Sequence, residues 1–135
     1  MDALSYEYLL RRVYKVGRHG KDGADADIYR RMERAKRTLE INIESKEKGT
    51  IPISTLSTDE LLYQYHSACA GVWGYVSQAI RDGLKEYGYL LTDEEKKQLT
   101  ESIVEPPKRL VEKDYIDKAI KTAESIFAKY EIFPK

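Results

Sequence analysis

Apolar side chains recur at the three- and four-residue spacing of amphipathic helices along nearly the whole chain. The spacing predicts a first helix over residues 2–16, with Tyr6, Leu9, Val13 and Val16 on one face. Arg11, Arg12, Lys15 and Arg18 lie on the other side, beside Leu4 and Tyr8. Gly17, Gly20 and Gly23 then break the helix, because closely spaced glycines cannot sustain one. A second helix starts near Asp25 or Asp27, either of which can cap it, and ends before Gly49. At 100° per residue, Ile28, Met32, Ala35, Leu39 and Ile43 fall within about 40° of one direction. Arg30, Arg34 and Arg37 lie almost opposite, so an apolar stripe is backed by a guanidinium stripe.

Residues 50–56, with Pro52, read as an extended connector. Ser57-Thr58-Asp59-Glu60 has the pattern of a capping box and opens the longest helix, which runs to Tyr87 and stops at Gly88. Leu61, Tyr65, Ala68, Val72, Val76, Ala79 and Ile80 form its apolar seam. Ser67, Ala70, Gly71, Gly74 and Ser77 make a second strip of small residues, and Trp73 sits between the two. Mid-helix glycine costs roughly 1 kcal/mol relative to alanine, so the strip predicts a neighbour packed very close. Thr92-Asp93-Glu94-Glu95 repeats the box and opens a short acidic helix through Leu99, Ile103 and Val104, stopped by Pro106-Pro107. A last helix over residues 108–130 turns Ile116, Ala119, Ile120, Ala123, Ile126 and Phe127 inward. The expected fold is all-α, about five helices in a single domain: a basic helical arm or hairpin over 1–48, then a small bundle over 57–135.

Charge changes this picture. The chain is neutral, with 23 basic and 23 acidic side chains, yet residues 11–37 hold ten basic against four acidic ones. That window therefore carries a surplus of six positive charges and the remainder six negative. Segregation of this kind points to a polyanion at one end of the molecule. At 135 residues the chain is long enough to bury a core without staples. Cys69 is its only cysteine, which excludes an internal disulfide and fits a reducing compartment or the interior of a particle. No apolar run reaches the ~20 residues of a membrane span, and Met1-Asp2-Ala3-Leu4 lacks the start of a secretion signal. A single Asn beside abundant Lys and Glu leans towards a heat-adapted source.

Catalytic chemistry finds little footing. Only His19 and His66 are available as imidazole ligands, and no metal-binding motif is present. His66 stands three residues before Cys69 on one helix, but Cys69 borders the packed seam, where a thiol is an inert small hydrophobe. Asp93, Glu94 and Glu95 sit where a helix N-terminus favours negative charge in any case. The loop of Gly17, Gly20 and Gly23 lacks the ending of a phosphate-binding P-loop, although a basic glycine turn brings amides close to phosphate oxygens. The expectation is a protein that is not an enzyme and takes no metal or cofactor. Its candidate phosphate contacts are Arg11, Arg12, Lys15, Arg18, Lys21, Arg30, Arg31, Arg34 and Arg37, with Tyr8, Tyr14 and Tyr29 adding hydroxyls and flat faces among the cations.

In layout, a basic helical arm joined to a small helical bundle resembles the coat proteins of filamentous and rod-shaped viruses of hyperthermophilic archaea. The resemblance implies arms that wrap double-stranded DNA, held in A-form, and bundles that build an outer shell. Residues 11–37, divided by the glycine loop, would be that arm. Leu4-Ser5-Tyr6-Glu7-Tyr8-Leu9 and Leu91-Thr92-Asp93-Glu94-Glu95-Lys96 also look like the helical domain of archaeal GINS replication subunits. The long helix departs from that pattern, offering only Arg81 where a denser basic motif is expected. On size and charge alone the chain is also similar to a small helical subunit of a CRISPR effector complex. The expectation carried forward is a self-assembling, nucleic-acid-coating protein, a viral coat subunit in a virion. The alternative is an adaptor of a replication or effector complex in the cytoplasm. The expected partners are nucleic acid, double-stranded DNA foremost, and further copies of the chain or of a paralogous subunit.

Overall fold

Amphipathic helices of unequal length must bury their stripes against one another, and here the longest serves as the axis. The computed structural model describes residues 24–104 and 111–130. These form α1 (Ala24–Lys48), α2 (Thr58–Tyr87), a 3-10 turn (Gly88–Leu90), α3 (Asp93–Ser102) and α4 (Lys113–Lys129), with no strand among the described residues. The all-α expectation is met, with four helices within these bounds. The first predicted helix, the glycine loop and the Pro106-Pro107 stop lie outside the described residues. The last helix begins at Lys113, five residues later than its periodicity suggested, after an extended Glu112.

α2 spans about 45 Å at 1.5 Å per residue. All seven predicted seam residues are buried, and Cys69, Trp73 and Gly83 widen the seam into a band. The widening has a cause: α2 packs against both α1, from Thr58 beside Lys46 to Gly71 beside Ile28, and α4, from Tyr65 beside Lys113 to Gly83 beside Phe127, while α3 packs against α4. Ile80, Leu99, Ile116, Ile120 and Phe127 are wholly enclosed, each contributing roughly 1.5–3 kcal/mol through burial.

Residues 24–48 are an integral helix of this bundle. Tyr29 and Met32 are completely buried and Leu39 nearly so, packed into the same core as α2 and α4. An arm whose apolar face awaits a neighbouring subunit is therefore not what these residues form. Tyr29, expected among the cations, instead lies inside, where its hydroxyl donates to Asp117 Oδ1 at 2.5 Å. Lys113 Nζ holds the other oxygen of Asp117 at 2.7 Å, so a half-enclosed polar cluster locks α1 to α4.

Three further expectations need correction. Ile43, assigned to the apolar stripe, is 39% exposed, while Asn42 beside it is 3% exposed. The chain leaves α1 through Gly49, at φ 70°, and folds back so that Thr50 N–H bonds Ser45 C=O at 2.9 Å. The returning connector covers the Asn42 side of the helix. Asn42 Oδ1 accepts from Ile53 N–H (3.1 Å) and Ser54 N–H (3.3 Å), and its Nδ2 donates to Ser54 C=O (3.0 Å). Second, the box at Ser57 is incomplete: Ser57 Oγ accepts from Glu60 N–H, but the Glu60 carboxylate takes the Ser57 hydroxyl, not its backbone amide. The box at Thr92 is complete. Third, the small-residue strip is only partly a contact. A Cβ at Gly71 would lie 2.5 Å from Ile28 Cδ1, whereas one at Gly74 meets nothing within 4 Å among the described residues. Ser67, Ala70 and Gly74 are exposed. An equally close approach lies at Gly83, where a Cβ would meet three atoms of the Phe127 ring, at 2.5, 3.0 and 3.2 Å.

Candidate nucleic-acid interface

With Tyr29, Met32 and Leu39 committed to the core, helical geometry dictates which side chains of α1 face water. Arg31, Arg34 and Arg37 are exposed, and Arg30 is half-exposed. Arg30 NH1 reaches Asp27 Oδ1 at 3.4 Å, an open pair that water and salt screen. Glu33 stands four residues before Arg37, yet Arg31, Arg34 and Arg37 make no ion pair among the described residues. Lys36 is turned to the flank, 3.5 Å from Asp114 of α4. The three free guanidiniums span about 9 Å of helix axis. Exposed Glu40, Glu44 and Glu47 follow them, so the cationic face is confined to the first half of α1.

Of the nine expected phosphate contacts, the structure brings Arg30, Arg31, Arg34 and Arg37 onto the outer side of one helix. Arg11, Arg12, Lys15, Arg18 and Lys21 lie outside the described residues, as do Tyr8, Tyr14 and His19. A firmly buried inner face makes the outer face a fixed array, since the backbone cannot roll without exposing Tyr29 and Met32. Guanidinium groups so held present planar forks to phosphate oxygens, and those of Arg31, Arg34 and Arg37 have no ion-pair partner to displace among the described residues.

Elsewhere the chemistry is structural. Cys69 is completely buried, and burial pushes its thiol up to about 11. Its neighbour is the Tyr65 hydroxyl, itself raised by burial while it accepts the Lys113 amide N–H at 2.9 Å. His66 points instead to Glu112, with Nε2 3.7 Å from Oε1. Between α3 and α4 lies an open cleft lined by Gln98, Glu101, Tyr115, Lys118, Thr122 and Ser125, among others. Among the described residues no three His, Cys, Asp or Glu side chains are grouped to hold a metal ion. No helix there is long and apolar enough to cross a membrane.

One polar centre escaped the sequence reading. Glu95 is 7% exposed and does more than cap α3. Its carboxylate accepts the Thr92 amide, the Tyr130 hydroxyl and Lys129 Nζ, joining the start of α3 to the end of α4. The Thr92 amide, followed by the Tyr130 hydroxyl, holds the Glu95 carboxyl down to about 2. Its partners stand 34 and 35 residues away, a separation that no local motif reveals. The chain matches no protein-family model, no curated protein and no solved structure.

Proposed function

We propose that this protein is a non-enzymatic helical module that holds nucleic acid by its phosphates through the outer face of α1. The observation that carries this reading is the trio Arg31, Arg34 and Arg37, exposed and without an ion pair among the described residues, on a helix whose opposite face is locked in the core. Duplex DNA presents one phosphate per 3.4 Å of axis on each strand, so an array about 9 Å long engages two or three of them. α1 has no glutamine, and its one asparagine is buried, so the outer face lacks the amides that read adenine edges. Binding through phosphate contacts alone is independent of sequence and sensitive to salt.

Two forms of this reading remain distinct. Many copies could coat duplex DNA within a virion, as the likeness in layout to archaeal virus coat proteins implies. The docking of α1 into the bundle favours the other form, a compact subunit that presents a fixed cationic face within a replication or effector complex in the cytoplasm. Mobility shifts with two unrelated duplexes, followed by negative-stain electron microscopy, test both. Equal shifts at low salt are expected for the two sequences, and absence of any shift would remove the reading. Continuous filaments on DNA would select the coat, discrete particles the adaptor.

A further inference from the structure

α1 and α2 run antiparallel in a register that two contacts fix. Lys46 Nζ bonds the Thr58 hydroxyl at 2.9 Å near one end, and Ile28 stands beside Gly71 near the other. α1 begins only four residues before Ile28, about 6 Å of helix, whereas α2 continues sixteen residues past Gly71, about 24 Å. α2 therefore outruns the start of α1 by about 18 Å. At 100° per residue, Tyr75, Gln78, Asp82 and Glu86 lie within about 60° of the direction of Gly71, so they prolong the flank on which α1 packs. Tyr75 is half-buried against the core. Asp82 is half-buried too, its Oδ1 accepting from Gln78 Nε2 at 2.9 Å and its Oδ2 shielded from water. Lys85 and Glu86 stand exposed on either side of it. A carboxylate so placed favours a cationic neighbour.

We propose that this flank is the docking site of the chain's own preceding segment, residues 2–16, lying along α2 as a helix. Three observations select that occupant. The chain enters α1 at Ala24, where the prolonged flank begins, and residues 17–23 are a short tether that keeps the segment at high effective concentration there. Fifteen helical residues span about 22 Å, close to the 18 Å by which α2 outruns α1. Residues 1–23 hold five basic against three acidic side chains, and they have two places to go. Turning back over α1 would set them against Arg31, Arg34 and Arg37, a like-charge approach. Running forward along α2 sets the apolar face of Tyr6, Leu9, Val13 and Val16 towards Tyr75, and the cations towards Asp82 and Glu86. Arg12 is the cation nearest that apolar face by helical angle. Arg12, expected at a phosphate, then serves the fold instead. The docking does not depend on what Arg31, Arg34 and Arg37 hold.

Paramagnetic broadening of NMR signals in the full chain tests it. Cys69 is completely buried, so a nitroxide attaches only to the cysteine of Arg81→Cys, at an exposed position next to Asp82. Amide signals of residues 2–16 should lose most of their intensity, while those of residues 44–48, at the far end of the α1–α2 pair, should keep theirs. Asp82→Asn/Glu86→Lys in the labelled chain, with an unchanged circular dichroism spectrum, should return most of that intensity. Glu86→Lys alone, at a position open to water, carries the same test if the double variant does not fold. Full intensity at residues 2–16 in the labelled chain overturns the proposal. So does broadening that both charge variants leave undiminished. Broadening that arises only between copies, when a nitroxide-bearing chain is mixed with an isotope-labelled chain lacking it, overturns it as well.

Discussion

Three glycines on α2 sit in three different surroundings, which makes their replacement by alanine a graded test of the packing. Alanine is about 1 kcal/mol more favourable than glycine in a helix interior, so that gain is common to all three sites. At Gly74 no described atom lies within 4 Å of the new Cβ, and the full gain should appear. For a chain of this length, at ~2.1 cal/mol/K per residue of unfolding entropy, 1 kcal/mol corresponds to about 3–4 °C in Tm. At Gly71 the new carbon meets Ile28 Cδ1 at 2.5 Å, the far end of a half-buried, flexible side chain that can turn aside, so the change should be near neutral. At Gly83 it meets Phe127 Cζ at 2.5 Å and Cε2 at 3.0 Å, and that ring is completely buried. Overpacking a closed site costs about 1–3 kcal/mol, which exceeds the propensity gain over most of that range and lowers Tm by up to about 7 °C. Thermal and urea unfolding followed at 222 nm would rank the variants Gly74→Ala above Gly71→Ala above Gly83→Ala. Shortening the ring with Phe127→Leu should make room, so Gly83→Ala should cost less in that background, a coupling that a double-mutant cycle measures. If Gly83→Ala raises Tm as much as Gly74→Ala does, Phe127 is not seated on α2 and the placement of α4 is wrong.

Two other perturbations probe the polar anchors. Asn42→Ala strands two backbone N–H groups and one carbonyl of the connector beneath partial cover, and should cost about 2–4 kcal/mol in urea unfolding; a cost below about 1 kcal/mol would mean that water replaces the side chain freely. Glu95 is held down to about 2 from an ordinary 4.5, so the folded state binds its proton less readily than the unfolded chain. The stability it supplies is complete above pH 4.5 and disappears as the pH falls towards 2, and Glu95→Gln should flatten the acid limb of the Tm-versus-pH curve across that window. An acid limb unchanged in Glu95→Gln would assign the acid sensitivity to other carboxylates.

What the sequence disclosed and what it hid separate along physical lines. α1, α2 and α4 each carry an apolar stripe at helical spacing, and a stripe reports burial wherever the partner is another helix. Thr92 and Glu95 are three residues apart, so their box is local and was legible. Asn42 was not, because its partners are the backbone of a connector whose return path no periodicity encodes. Tyr29 sits at the edge of the stripe next to Arg30, and only Asp117, 88 residues on, decides that it turns inward. Glu95 was hidden among Asp93 and Glu94 for the same reason, its further partners arriving from the end of α4. Of the cationic site, helical spacing placed Arg30, Arg34 and Arg37 opposite the stripe, where the structure has them. The attachment of that helix to the bundle was not legible, since an amphipathic stripe is the same whether its cover comes from its own chain or from a neighbour.

The central claim is that Arg31, Arg34 and Arg37 contact phosphates, and salt dependence tests it most directly. The dissociation constant for a short duplex, followed by fluorescence anisotropy between about 50 and 200 mM salt, gives the slope of log K against log salt concentration. Replacing all three arginines with glutamine removes three exposed charges and leaves the core untouched, so Tm should hold. Each arginine that neutralises a phosphate contributes about 0.9 to the slope, so the triple variant should flatten it by about 2.7, with weaker affinity at every salt concentration. An unaltered slope and affinity in a folded triple variant would show that the outer face of α1 does not touch nucleic acid.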